Sequence, residues 1–241
     1  MIVSVSAMLE RLRSISSGIA PWDLSDRQRA IPTAIAIVVL GAGTYGAVMG
    51  AWREPLQALF TGLKLPLVIL LTTLGNTLIN AMLAPLLGLH LSLRQSLTAV
   101  LFTFALAASL LGSLVPIAIF IVWNLPPLTA TTQLGSFEYS MIQLVLVAFI
   151  AGCGVGGNVL FLPVLERQSG SRRIARRVLL SWLLVNLLLG SQVTWVLRPF
   201  IWDPARPVEF VGPEYLRGSF YETVFNAVRQ LILEQLPLRR P

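Results

Sequence analysis

Apolar residues in this chain come in long blocks rather than short alternations. Five windows contain no Asp, Glu, Lys or Arg: residues 30–52, 65–93, 95–137, 139–165 and 178–197. Each is long enough for a helix that crosses a hydrocarbon layer about 30 Å thick. The pattern inside them predicts helices over 31–51, 65–88, 97–123, 139–161 and 178–197. The last is marked at both ends, opening on the arginines of 172–177 and closing on Arg198-Pro199 with Trp195, Phe200 and Trp202 alongside. Proline pushes the residue before it out of helical backbone, so Arg198 is expected to end that helix. Pro116 and Pro85 are expected to kink their helices or end them early. Between the first two spans, Trp52 to Lys64 carries Arg53, Glu54, Pro55, Gln57 and Lys64, and is expected to lie along the membrane interface.

The flanks are patterned differently. Ile2, Val5, Leu9, Leu12 and Ile15 stand at helical spacing, which fits either an amphipathic helix in the interface or a frayed terminus, and the features of a cleavable signal peptide are missing. After a proline-bearing stretch, Ser219 and Glu222 have capping-box spacing ahead of Phe220, Val224, Val228 and Leu231. That second amphipathic helix needs a surface to lie on: lipid, the protein's own spans, or a partner. The expected fold class is therefore all-α and polytopic, with five transmembrane helices plus N- and C-terminal amphipathic helices. It divides into a cytoplasmic segment 1–30, a bundle 31–197 and an extracytoplasmic segment 198–241.

Composition sharpens this picture. Of 241 residues, 55% are hydrophobic and 12% charged, about half the charge density of a soluble domain. The net charge of +7 comes from Arg and a single Lys, placed beside apolar spans, so it reads as a topology signal and as contacts for anionic lipid headgroups rather than nucleic acid. Five arginines fall within 162–177 and none within 124–138, which predicts a cytoplasmic N-terminus and an external C-terminus. Six arginines after the last span argue the other way. All six tryptophans stand at or near predicted span ends, as an aromatic belt would have them.

Candidate chemistry is sparse. The five predicted helices hold no Asp, Glu, Lys, Arg or His; His90 and Cys153 are single, and no nucleophile–base pair or phosphate loop is present. No catalytic, cofactor or metal site is expected. Thr73, Asn76, Thr77 and Asn80 share one face of span two. With Asn186 and Gln192 of span five they are expected to form an interhelical polar cluster; a polar path is the alternative. Gly46/Gly50, Ala148/Gly152/Gly156 and Ser109/Ser113 fit small-residue helix contacts, and the glycines around 152–157 also fit a hinge. Arg198 with Trp195, Phe200 and Trp202 is expected to clamp the C-terminal segment.

Ser191-Gln192-x-x-Trp195-Val196-Leu197-Arg198-Pro199-Phe200, followed by Gly218-Ser219-Phe220-Tyr221-Glu222-x-x-Phe225, resembles the C-terminal signature of a family of uncharacterised polytopic bacterial membrane proteins. Lys64-Leu65-Pro66-Leu67 and Leu91-Ser92-Leu93-Arg94-Gln95 are similar to that family too, so the likeness spans roughly residues 55–235. The five-span layout is only loosely similar to Yip-type trafficking proteins. The resemblance implies a bacterial inner membrane and carries over no functional residue. Together these readings point to a non-enzymatic subunit or scaffold of a membrane complex, partnered by another membrane protein or by a second copy. A transporter, channel or lipid-handling protein using the polar stripe is the alternative.

Overall fold

The computed structural model describes residues 27–125, 128, 137–199, 207–212 and 218–222. The proposed N-terminal amphipathic helix, Phe200, Trp202 and the C-terminal helix beyond Glu222 lie outside the described residues. Among the described residues six helices follow in order: α1 Arg27–Ala51, α2 Pro55–Leu86, α3 Leu93–Ser113, α4 Val115–Trp123, α5 Phe137–Ser169 and α6 Arg172–Leu197. Five of them, all but α4, are long and apolar enough to cross a membrane.

Helix boundaries have local causes. Pro55 sits in the first turn of α2, where its missing N–H costs nothing and its fixed φ is already helical. The segment expected along the interface is therefore mostly helix: the chain turns only over Trp52–Glu54, and α2 runs unbroken through Lys64 for 32 residues, about 48 Å. At its far end Gly88, with φ 92°, lets the chain reverse, and the amides of Gly88 and Leu89 bond back to Pro85 and Ala84 at 3.1 and 2.9 Å. A capping box starts α3 at Leu93, four residues before the apolar pattern suggested: Ser92 Oγ accepts from the Gln95 amide and Gln95 Oε1 from the Ser92 amide. Pro116 interrupts the third span as expected, dividing α3 from α4 at Leu114. Arg198, with φ 43°, ends α6 just before Pro199.

The centre of the bundle is α2 and α3. They pack on each other, α1 lies against both, α6 lies against α2, α5 against α3, and α5 and α6 close the ring. Small residues set the spacing. A β-carbon on Gly46 would stand 2.7 Å from the Thr61 carbonyl oxygen, one on Gly50 2.4 Å from that of Gln57, and one on Gly41 2.2 Å from that of Ala108. Backbone contact of this kind replaces the hydrophobic drive that a lipid solvent withholds.

On α5 the contact residue is Gly157, against Ala107 and Thr103. The expected Ala148/Gly152/Gly156 face is corrected in part: Gly156 packs against Leu110, but Ala148 is exposed and Gly152 meets open space, because the buried face runs through Leu146, Cys153, Gly157 and Phe161. Ser109 and Ser113 likewise bond back into their own helix, at Ala105 and Leu110. Ala108 and Gly112 make the contact with α1 instead.

Gly46→Ala and Gly50→Ala should each destabilise the protein by about 1–3 kcal/mol, as overpacking against backbone does. Gly152→Ala should be neutral or stabilising, by up to about 1 kcal/mol of helix propensity. Thermal unfolding in detergent measures the difference, and equal effects at Gly46 and Gly152 would contradict the packing described.

Candidate functional site

In a lipid solvent an amphipathic helix is turned inside out, and α2 is built this way. Gln57, Thr61, Lys64, Thr72, Thr73, Asn76, Thr77 and Asn80 are buried, whereas Leu56, Leu59, Leu63, Leu67, Leu71, Leu74, Leu78 and Met82 are exposed. The polar face meets α6. Thr72 lies against Gly190 and Asn76 against Asn186, and just past the end of α2 Gly88 lies against Ile174, so each step along α2 is matched by an equal step back along α6. Between these contacts, the same spacing carried on by one and two turns from Asn76–Asn186 pairs Asn80 with Trp182 and Ala84 with Val178.

The hydroxyls and amides on this face are mostly engaged. Thr73 and Thr77 donate to the Ile69 and Thr73 carbonyls of their own helix at 2.8 and 2.7 Å, the usual fate of threonine in a span. The asparagines form a directed chain: Asn80 Nδ2 donates to Asn76 Oδ1, and Asn76 Nδ2 donates to Asn186 Oδ1. Ser96 of α3 bonds the Thr77 carbonyl at 3.4 Å, joining the third span to the same place. Three of the four residues expected in the cluster thus come together. Gln192 does not: six residues along a helix turn it about 240° from Asn186, and its Oε1 accepts instead from the Phe220 amide at 3.3 Å.

The C-terminal segment reaches back over the bundle. Lys64 Nζ donates to the Glu209 carbonyl at 3.2 Å and lies 5.4 Å from the centre of the Phe210 ring, which meets Phe60 edge-on. Tyr221 donates to the Leu188 carbonyl and lies 2.8 Å from Ser191 Oγ. Leu188 is nine residues before the end of α6, about 14 Å back along its axis. The Ser219 side chain accepts from the Glu222 amide at 3.1 Å, one half of the expected capping box. Arg198 bonds the Trp195 carbonyl at 3.4 Å and stacks 4.9 Å from the Trp195 ring, so two members of the expected clamp touch.

Lys64 was missed by the sequence reading as a buried residue. It is only 2% exposed, and it puts a cation inside a span where none was expected. Trp182 was missed as well: it stands eleven positions into α6 with 1% exposure, stacked on Phe161 at 6.3 Å, not in an interfacial belt. Trp52 is also buried, against Val122, Leu125 and Leu128, while Trp123 is 85% exposed and suits the belt. Tyr45 of α1 is fully buried and donates to the Leu146 carbonyl of α5 at 2.9 Å.

No family model, curated protein or solved structure matches this chain. The site's buried groups on this face of α2 below Lys64 are neutral amides, joined to one another, and hydroxyls, mostly bonded to backbone, and among the described residues no three His, Cys, Asp or Glu gather as metal ligands. Such an arrangement locks helices together.

In a double-mutant cycle, Asn76→Leu and Asn186→Leu should show a coupling of about 0.6–2 kcal/mol; additive effects would mean that the amides do not pair. For the C-terminal segment, Lys64→Met, Tyr221→Phe and Arg198→Lys should each speed proteolysis between residues 203 and 218 in membranes while leaving insertion intact. Wild-type cleavage rates in all three would exclude the docking described.

Proposed function

We propose that this is a non-enzymatic inner-membrane protein that serves as a subunit or scaffold of a membrane complex. The observation that carries this reading is the Asn80–Asn76–Asn186 chain, which uses uncharged amides to join α2 to α6. A carrier of ions or protons needs titratable groups at depth, and the buried cation of α2, Lys64, is engaged by the Glu209 carbonyl and the Phe210 ring. The apolar face of α2, with its leucines turned outward, and the outer segment held at Lys64 and Leu188 supply lateral surface for a membrane partner or a second copy.

In this reading the N-terminus is cytoplasmic and the C-terminal segment external. Arg172, Arg173, Arg176 and Arg177 then stand at the cytoplasmic start of α6, within reach of anionic lipid headgroups. Arg172 shares its charge with Glu166 at 3.2 Å.

Reporter fusions at residue 170 and at the C-terminus should report opposite compartments, the first cytoplasmic. Matching compartments would sink the topology. Purification in mild detergent followed by native mass spectrometry should recover a defined complex or oligomer. A strictly monomeric species, together with saturable solute uptake by proteoliposomes that Asn76→Leu abolishes, would favour the transporter reading instead.

A further inference from the structure

The amide chain between α2 and α6 has a beginning that the protein alone does not complete. Asn80 gives its Nδ2 to Asn76, but its Oδ1 is buried without a hydrogen-bond partner. Carried one turn on from Thr72–Gly190 and Asn76–Asn186, the register brings Trp182 alongside, and its Nε1–H is likewise buried without a partner. One orphan is an acceptor and the other a donor, and both residues are at least 99% covered. Each unsatisfied group of this kind costs about 1–3 kcal/mol in a protein interior, and lipid offers no solvent to relieve it. Neither is released by small motions of its neighbours: Trp182 is held by its stack on Phe161, and Asn80 by its bond to Asn76.

We propose that Asn80 and Trp182 bind one water molecule between α2 and α6. The water accepts from Trp182 Nε1–H and donates to Asn80 Oδ1. The result is an unbroken sequence of donors and acceptors from Trp182 through water, Asn80 and Asn76 to Asn186, every bond pointing the same way. Bonds aligned in this manner polarise one another, and an ordered water with polar partners is an ordinary structural component of a protein interior. Below the site the seam closes on Ala84 and Val178, both fully packed in the apolar core, so the water is confined to the amide level. A neutral molecule suits the place, because neither side chain carries charge.

The test is nuclear magnetic resonance of the full-length protein in nanodiscs with 15N-labelled tryptophan, the Trp182 indole signal being assigned by its loss in Trp182→Phe. The expected result is a cross-relaxation peak between the Trp182 indole proton and a long-lived water. Asn80→Leu, which removes the acceptor, should abolish that peak and move the indole proton upfield. An indole proton with no water peak in the wild-type protein overturns the proposal, and that measurement stands even should the variant fail to fold. So does a water peak that persists unchanged in a folded Asn80→Leu protein, since the water would then be held elsewhere.

Discussion

A side-chain amide inside a bilayer has nowhere to turn but to another polar group of the protein, and the bundle is arranged around that constraint. α2 buries Asn76 and Asn80 completely, on a face that lipid cannot serve. α6 supplies Asn186 to meet them, and α3 adds Ser96 on the Thr77 carbonyl. Once α2 is committed inward on that face, its opposite face must satisfy lipid, which is why leucine recurs there at helical spacing. α1 can then approach α2 only where side chains are absent, at Gly43, Gly46 and Gly50. Pro66 adds to this closeness. It has no N–H for the Gly62 carbonyl, and a β-carbon on Gly43 would stand 3.2 Å from that oxygen.

Lys64 obeys the same constraint with a charge in place of an amide. A buried cation is tolerated where carbonyl oxygens and an aromatic face replace its water, and Glu209 and Phe210 supply both. The supply comes from the far end of the chain. Burial of Lys64 and docking of the C-terminal segment are therefore one event, and neither is explicable from α2 alone. The left-handed backbone of Arg198 begins the return, at a cost of about 1–2 kcal/mol for a residue other than glycine, offset in part by its stack on Trp195.

What the sequence made legible follows from the solvent. Long charge-free windows gave the five spans, because no other structure satisfies a backbone in lipid; Pro116 and Arg198-Pro199 gave their breaks because proline acts locally. The errors came where a nonlocal contact decides. Arg53, Glu54 and Lys64 suggested an interfacial segment, since nothing near them in sequence reveals the Glu209 carbonyl. Trp182, as a tryptophan close to a basic cluster, fits a belt until α6 is seen to begin at Arg172 and carry it to the core. Gln192 was a different kind of error. Its angular distance from Asn186 is readable from the helical period, which turns it away from the amide chain despite its matching chemistry.

Amide pairing does not by itself fix how α2 and α6 align. Sliding α6 by one turn would still set Asn80 against Asn186, leaving Asn76 opposite Gly190. The bulk of the neighbours breaks that tie. In the observed register the small residues fall where the partner is large or branched, Gly190 at Thr72, Gly88 at Ile174 and Gly75 at Leu189, and Trp182 finds Phe161 beside it. After the slip Trp182 would confront Ala84, which is already fully enclosed, and a close-packed interior has no room for the indole there. Polar groups thus select which helices meet, and glycine and tryptophan select where. That division explains why only one of the two possible asparagine pairings between these helices is made, and why Asn80 is left to bond along its own helix.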